Sequence, residues 1–248
     1  ITGTSSGIGR ALALEVLKDP TAHVLGLSRR QNIEHERYTH QRIELSKIAD
    51  LENLHFPISG NEKEVILVNN AGTTKKVPNH ADLGGLSKDD FLHIYGVNVV
   101  GPFMTVRACE KLLRASRAFT GVSATILNVS SIAGVTGIGS SVAYAASKGA
   151  FNTMTLSLAR ALGPDIRVNA VCPGFIGTRW FKDDMGAETY EAMEASVRKS
   201  TPLGLASGPD DIAQAAFFFL TDASTHITGE TLLVDAGLHL GYAPTVAR

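Results

Sequence analysis

Cysteine is scarce in this chain: Cys109 and Cys172 are the only two among 248 residues. Two thiols cannot make a disulfide framework, and such sparing use suits a reducing cytosol. Charge imbalance is lacking as well. The 23 Lys+Arg and 24 Asp+Glu leave a net charge of -1 and a pI of about 6.8, which argues against nucleic acid or an anionic membrane as partner. Long apolar runs are missing. The best, near 213–220 and 65–68, fall well short of the roughly 20 residues that a spanning helix needs. No basic-then-apolar leader opens the chain, so a cytoplasmic protein is expected. There is no internal repeat and no low-complexity tract. No His/Cys/Asp cluster has metal-ligand spacing. The eight histidines are scattered, and His35, His40 and His55 read as surface positions. Disorder is excluded by a composition of 44% hydrophobic and 19% charged residues.

What the chain has in quantity is glycine. The 24 glycines cluster in short stretches. Between those stretches, apolar or β-branched runs at 22–27, 65–68, 124–129, 166–171 and 231–234 lack polar alternation, as strands buried on both faces do. Helical patterns occupy 8–18, 90–117, 144–162 and 210–220. Gly163-Pro164 ends one of them, and Pro209 suits a helix start. Alternation of this kind predicts an α/β fold: a Rossmann-type, doubly wound parallel sheet of about seven strands with helices on both faces, in one domain. The first strand should be central. Only Ile1 and Thr2 precede the first glycine, so that strand is expected to be truncated here. The short stretch from Arg30 to Val65 leaves room for a trimmed strand and helix only.

The opening Thr2-Gly3-Thr4-Ser5-Ser6-Gly7-Ile8-Gly9 runs straight into a helix. Gly3, Gly7 and Gly9 allow a tight turn and close approach to a pyrophosphate. Ser5 and Ser6 add hydroxyls, and the helix N-terminus at Ile8 offers N–H groups and a positive dipole end. The Gly-x-x-x-Gly-x-Gly spacing resembles that of the short-chain dehydrogenase/reductase family, in its 3-oxoacyl-thioester-reductase-like branch. The resemblance continues, in order, through Asn69-Asn70-Ala71-Gly72, Asn98, Ser130-Ser131, Tyr144-Ala-Ala-Ser-Lys148 and Pro173-Gly174-Phe-Ile176-Gly-Thr178.

The resemblance implies a set of roles. Tyr144 is the expected general acid/base, and Lys148, four residues on and so on the same helix face, would lower its pKa and hold the nicotinamide ribose. Ser131, thirteen residues before Tyr144, would bond the substrate oxygen, with Ser130 a supporting neighbour. Asn98 belongs to a proton relay through its backbone carbonyl. Pro102 has no N–H to close the helical bond to that carbonyl, which supplies a local reason. Asn70, Ala71 and Gly72 would line the cofactor. Pro173, Gly174, Ile176 and Thr178 would cradle its nicotinamide end. The segment 179–200, with Trp180, Phe181 and Met185, lies where relatives carry a substrate lid. Cys172 reads as packing.

Cofactor choice follows from the end of the second strand, Gly26-Leu27-Ser28-Arg29-Arg30. No carboxylate stands where NAD-binding folds place one on the ribose hydroxyls. Ser28 can donate a hydrogen bond and Arg29 can fork onto a 2′-phosphate, so NADP(H) is predicted over NAD(H). Glu44-Leu45 matches only loosely the pair that relatives place beside the adenine, with Leu45 the apolar member. The expected protein is an NADP(H)-dependent carbonyl reductase or alcohol dehydrogenase acting on a small molecule, and a homotetramer, with a dimer as fallback. A 3-oxoacyl thioester reductase and a non-catalytic NADP-binding sensor are the alternatives. For a carrier-bound thioester, Arg107, Arg114 and Arg117 would be the basic patch.

Overall fold

A computed structural model describes residues 1–52, 54, 56, 64–177 and 186–241. Six strands are formed: β1 (Val24–Ser28), β2 (Tyr38–Arg42), β3 (Ile66–Asn69), β4 (Ala124–Val129), β5 (Ile166–Pro173) and β6 (Thr231–Val234). All pairings are parallel, β1 with β2 and then β3-β4-β5-β6 in order. The two groups are joined by the first residues of the chain. The Thr2 N–H donates to the Val68 carbonyl at 2.9 Å, the Leu27 N–H donates to Ile1 at 2.8 Å, and the Gly3 N–H donates to Leu27 at 2.7 Å. Residues 1–3 therefore stand as a minimal central strand, bonded on both sides but too short to count with the others, so the described residues form six strands where about seven were expected. The trimmed strand and helix foreseen between Arg30 and Val65 are β2 and α2 (Ile48–Glu52).

The β4 and β5 strands are buried along their whole length. That is why their sequences are nearly unbroken apolar runs. The first helix, α1 (Gly7–Val16), buries Gly9, Leu12 and Ala13. Leu12, Val68, Leu127 and Val171 share one apolar cluster with Ile212 and Phe219 of α8 (Pro209–Phe219). On the other face of the sheet, Val106 and Leu113 of α4 (Gly101–Thr120) pack on Ile126 and Val168 beside Leu162 of α6 (Val142–Leu162). Each face of the sheet thus has its own helical layer, which makes the doubly wound arrangement.

Two helices differ from the sequence reading. The long 90–117 pattern is broken: α3 (Lys88–Tyr95) begins behind a Ser87–Asp90 capping box, a π-helical turn occupies Gly96–Val100, and α4 follows. The Gly101 N–H reaches back to the Gly96 carbonyl, five residues away. Pro102 cannot donate to the carbonyl of residue 98, so the regular α ladder cannot continue there. A four-residue α5 (Ala133–Thr136) also follows β4, and α7 (Ala187–Ser200) covers most of the expected lid. Trp180, Phe181 and Met185 lie outside the described residues. Among the described residues no helix is long and apolar enough to cross a membrane.

Glycine is required where layers approach closely. A Cβ at Gly9 would sit 2.3 Å from Asn70 Nδ2 and 2.5 Å from the Gly3 carbonyl. Both partners are fixed by the central strand, so neither can withdraw. Gly9→Ala is expected to lower stability by about 1–3 kcal/mol, the usual cost of overpacking, read as a lower midpoint in urea unfolding with the m-value unchanged.

Candidate active site

The motif residues meet at the C-terminal ends of the strands, where open α/β sheets bind ligands. One cavity of about 840 Å³ is lined by Ile8, Asn70 and Gly72 at one end, by Ser131, Tyr144 and Lys148 in the middle, and by Pro173, Gly174 and Ile176 beside them. Of the residues expected to bind cofactor, Gly3, Ser5, Ser6, Gly7, Gly9, Ser28, Arg29, Leu45 and Ala71 do not line this cavity. Thr178 lies outside the described residues.

Ser141 caps α6 by accepting from the Tyr144 N–H at 3.3 Å, which starts the helix just ahead of the tyrosine. Its position three residues upstream could have been read as a helix start. One turn on, Lys148 is buried, and its Nζ donates to the Val129 carbonyl at 3.0 Å. The ammonium also sits 5.3 Å from the Phe151 ring centroid and 5.9 Å from that of Tyr144. Burial lowers the Lys148 pKa from 10.5 to about 8. Burial has the opposite effect on Tyr144 and raises its phenol above the usual value, while a hydrogen bond with Ser131 pulls it partly back. In the protein alone, desolvation sets the direction of the Tyr144 shift. The buried Ser131 hydroxyl also accepts from the Ala133 N–H at 3.1 Å. Ser130 serves another purpose: its hydroxyl donates to the Lys148 carbonyl at 3.4 Å and lies against the Cys172 thiol. Cys172 is fully buried and its thiol pKa is raised, chiefly by desolvation, which suits packing.

Asn98 sits in the π-helical turn and is fully buried. Its side-chain amide donates to the Thr73 carbonyl at 2.9 Å and to Ser147 Oγ at 3.0 Å, and it accepts from the Thr73 N–H at 2.8 Å. The side chain thus ties the 70–73 turn to α6. Sequence reasoning foresaw a backbone role and missed this clamp and its partners Thr73 and Ser147.

The glycine loop is held from behind. Thr2 Oγ1 accepts from the N–H groups of both Asn70 (2.9 Å) and Ala71 (3.0 Å), and Asn70 Nδ2 returns a bond to the Thr2 carbonyl at 3.0 Å. Gly3 and Gly7 have positive φ, +73° and +57°, which only glycine adopts without strain. The Ser6 side chain makes no cap hydrogen bond to α1, so the helix start keeps donors available to an anion. A dinucleotide fits these residues: donors at a helix N-terminus, then a continuous cavity running to Tyr144.

At the far end of β1, the exposed Arg29 guanidinium stands 3.9 Å from Glu44. Ser28 is buried, and its hydroxyl already donates to the Arg30 carbonyl at 2.8 Å. Leu45 is buried in a cluster with Leu27 and Met104. His40 is not a free surface residue: it is half-buried, with Nε2 3.1 Å from the Ser28 carbonyl. The α4 arginines lie away from the cavity. Arg114 and Arg117 pair with Asp165, and Arg117 donates to the Pro164 carbonyl, both at the N-terminal end of β5. The cavity opens at the opposite end of that strand.

Comparison with known proteins agrees with this geometry. A family model described as Enoyl-(Acyl carrier protein) reductase matches residues 3–239. The chain belongs to the short-chain dehydrogenase/reductase family. It is an oxidoreductase of CH–OH/C=O groups. A Streptomyces violaceoruber protein named as ketoacyl reductase 2 of the granaticin polyketide synthase is 35% identical over 250 residues, covering 97% of this chain and 95% of its own. A 3alpha-hydroxysteroid dehydrogenase from Mediterraneibacter gnavus is 34% identical and covers 95% and 94%. Among solved structures, a 4-hydroxyisoleucine dehydrogenase complexed with NADH superposes with a TM-score of 0.81 at 27% identity, over 97% of this chain and 98% of that one.

The buried Lys148 makes a pH prediction. Its folded pKa of about 8 lies below the value near 10.4 of an unfolded lysine, so between those limits the unfolded chain binds more protons. Stability therefore rises with pH across that window. Lys148→Met removes the effect, worth about 3 kcal/mol at most by the size of the shift. The variant should exceed wild type in melting temperature at pH 7.5, and the gap should shrink by pH 10. An unchanged gap would contradict the buried ammonium.

Proposed function

We propose that the protein is an NADP(H)-dependent carbonyl reductase or secondary-alcohol dehydrogenase, with Tyr144 as general acid/base. The observation that carries this is the Ser131–Tyr144 hydrogen bond beside the buried Lys148, in one cavity with Gly72 and Ile176. When bound, the nicotinamide supplies or accepts the hydride. The protein's own groups do the rest. In the reducing direction the Tyr144 phenol gives its proton to the substrate oxygen. Ser131 donates a hydrogen bond to that oxygen as charge develops on it. Lys148 places a cation behind the phenol and favours tyrosinate after the transfer. The Asn98 clamp holds the 70–73 turn against α6. By the family resemblance, the Asn98 backbone carbonyl passes protons onward, and Thr178 joins Pro173, Gly174 and Ile176 around the nicotinamide.

Arg29 supports NADP(H) over NAD(H), since it is an exposed guanidinium at the end of β1 with no carboxylate of that strand beside it. Relatives span both cofactors by title: the 4-hydroxyisoleucine dehydrogenase structure holds NADH. Glu44 opposes a phosphate, and its 3.9 Å separation from Arg29 leaves the arginine to screen it. The substrate is a free small molecule in this reading, because Arg114 and Arg117 are committed at the other end of β5 and Arg107 does not line the cavity. Assembly into a homotetramer is supported by apolar side chains exposed on neighbouring helices, Phe103 on α4 and Val142 and Leu156 on α6, with a dimer as the smaller alternative. A cytoplasmic location follows from the sparing use of cysteine.

The decisive test is oxidation of NADPH against ketones, diketones, sugars and oxoacyl thioesters. Tyr144→Phe should lower kcat by about 10²–10⁴-fold, the usual contribution of acid–base catalysis. Ser131→Ala should also cost orders of magnitude, whereas Ser130→Ala, which only loosens the support of Lys148, should cost far less. Turnover that survives Tyr144→Phe would overturn the assignment. For the cofactor, kcat/KM should favour NADPH over NADH in wild type and reverse in Arg29→Asp.

A further inference from the structure

The catalytic residues occupy one part of the cavity, and its remaining wall is mostly apolar, with Val77, Ile138, Phe175, Met193 and Leu238. Polar side chains interrupt it, among them Thr74, Lys76, His80, Thr136 and Ser140, and one more is held by a buried carboxylate. His239, in the 3-10 turn after β6, lines the same cavity. Its Nδ1 lies 2.8 Å from Oδ2 and 3.1 Å from Oδ1 of Asp235. The Asp235 carboxylate is itself buried, its side chain 3% exposed. Its two oxygens also accept from the N–H of Gly237 at 3.0 Å and from the N–H of His239 at 2.8 Å. A carboxylate that receives backbone donors at both oxygens acts as an acceptor, so the ring hydrogen belongs on Nδ1. That fixes the tautomer and the orientation of the ring, as a carboxylate does for a metal-bound imidazole. In a neutral imidazole the other nitrogen is then an acceptor. With Nδ1 turned to Asp235, Nε2 lies on the other side of the ring, and it has no hydrogen-bond partner among the described residues. Neither Asp235 nor His239 has a part in the proton transfer at Tyr144.

We infer that His239, held by Asp235, is a specificity-determining residue that accepts a hydrogen bond from a hydroxyl group carried by the substrate away from its reacting carbonyl. The inference rests on the proposed carbonyl reductase activity and adds the substrate class: a bulky, largely apolar ketone bearing a second hydroxyl. The cavity takes the nicotinamide end of the cofactor as well as the substrate, and the wall beyond the catalytic residues is apolar enough to receive a ring-bearing molecule. Its apolar wall rewards such rings, and an acceptor fixed within that wall disfavours the same rings without a donor, because Nε2 would lose water and gain nothing. The ring is partly exposed at the cavity rim, its side chain 30% accessible, so the preference should be that of one ordinary hydrogen bond, about three- to tenfold.

Binding tests this apart from turnover. Calorimetric titration at pH 8, with the protein saturated in NADP⁺, would compare 1-tetralone with its monohydroxylated ring isomers. Wild type should bind at least one hydroxylated isomer about three- to tenfold more tightly than 1-tetralone. His239→Phe should abolish that preference while leaving the Kd for 1-tetralone nearly unchanged. His239→Gln, which keeps an acceptor on a side chain of similar reach, should restore part of it. A wild type that prefers no hydroxylated isomer, or a preference that persists in His239→Phe, would overturn the inference. The reductase assignment stands or falls separately, on the turnover of Tyr144→Phe.

Discussion

An ammonium group buried against a single carbonyl is the constraint on which the site depends. Lys148 Nζ has left water for the Val129 carbonyl and two aromatic rings, and its lowered pKa measures the cost. The surrounding fold is arranged to keep it there. Ser130 bonds the Lys148 carbonyl. Gly134 lets α5 lie directly on α6, since a Cβ there would fall 2.5 Å from the Lys148 carbonyl carbon. Phe151, one turn further along α6, is almost wholly buried beneath the cation. A cation held in this way is positioned before any ligand arrives. Its charge is then little screened by solvent when a proton moves at Tyr144.

Alignment of the two halves of the cavity depends on a different device. Thr2 belongs to the central strand, yet its hydroxyl accepts from the turn after β3. Asn98 seizes the far side of that turn through Thr73 and passes the connection to Ser147 on α6. The glycine loop, the 70–73 turn and α6 are therefore one hydrogen-bonded body. Displacement of any one would leave buried amides unpaired, at about 1–3 kcal/mol each. The π-helical turn is what brings Asn98 inward at that point, and Pro102 is the reason a regular helix cannot compete.

The pattern of strands was legible because β4 and β5 are buried on both faces, and 124–129 and 166–171 carry that burial in their composition. Tyr144, Lys148 and Ser131 were legible for another reason: the family resemblance marks them in order along the chain, and the fold brings them into one cavity. The break in the 90–117 helix was half visible, since Pro102 announces a lost bond while nothing in the local sequence specifies a π turn. The Asn98 clamp was hidden because two of its bonds go to backbone atoms of Thr73, 25 residues away, and the third to a serine 49 residues away. Backbone partners leave no trace in side-chain chemistry. The upward pull of burial on Tyr144 was hidden for a related reason. Charge can be read from a sequence, but desolvation depends on what the fold stacks above the ring.

Asp235 and His239 show the limit of pattern reading most sharply. Four residues apart suggests one helix face, but the pair lies in a turn after the last strand, where Gly237 at φ +85° reverses the chain. Gly174 supplies the room: a Cβ on it would meet the Asp235 Cβ at 2.7 Å. A glycine expected to admit the nicotinamide thus also admits the last strand of the sheet, and with it the carboxylate that orients the ring at the rim. On the proposed function the middle of the cavity, with Ser131, Tyr144 and Lys148, performs chemistry common to any ketone. Discrimination falls to the residues that β6 delivers to the rim, and the close approach at Gly174 fixes where they stand.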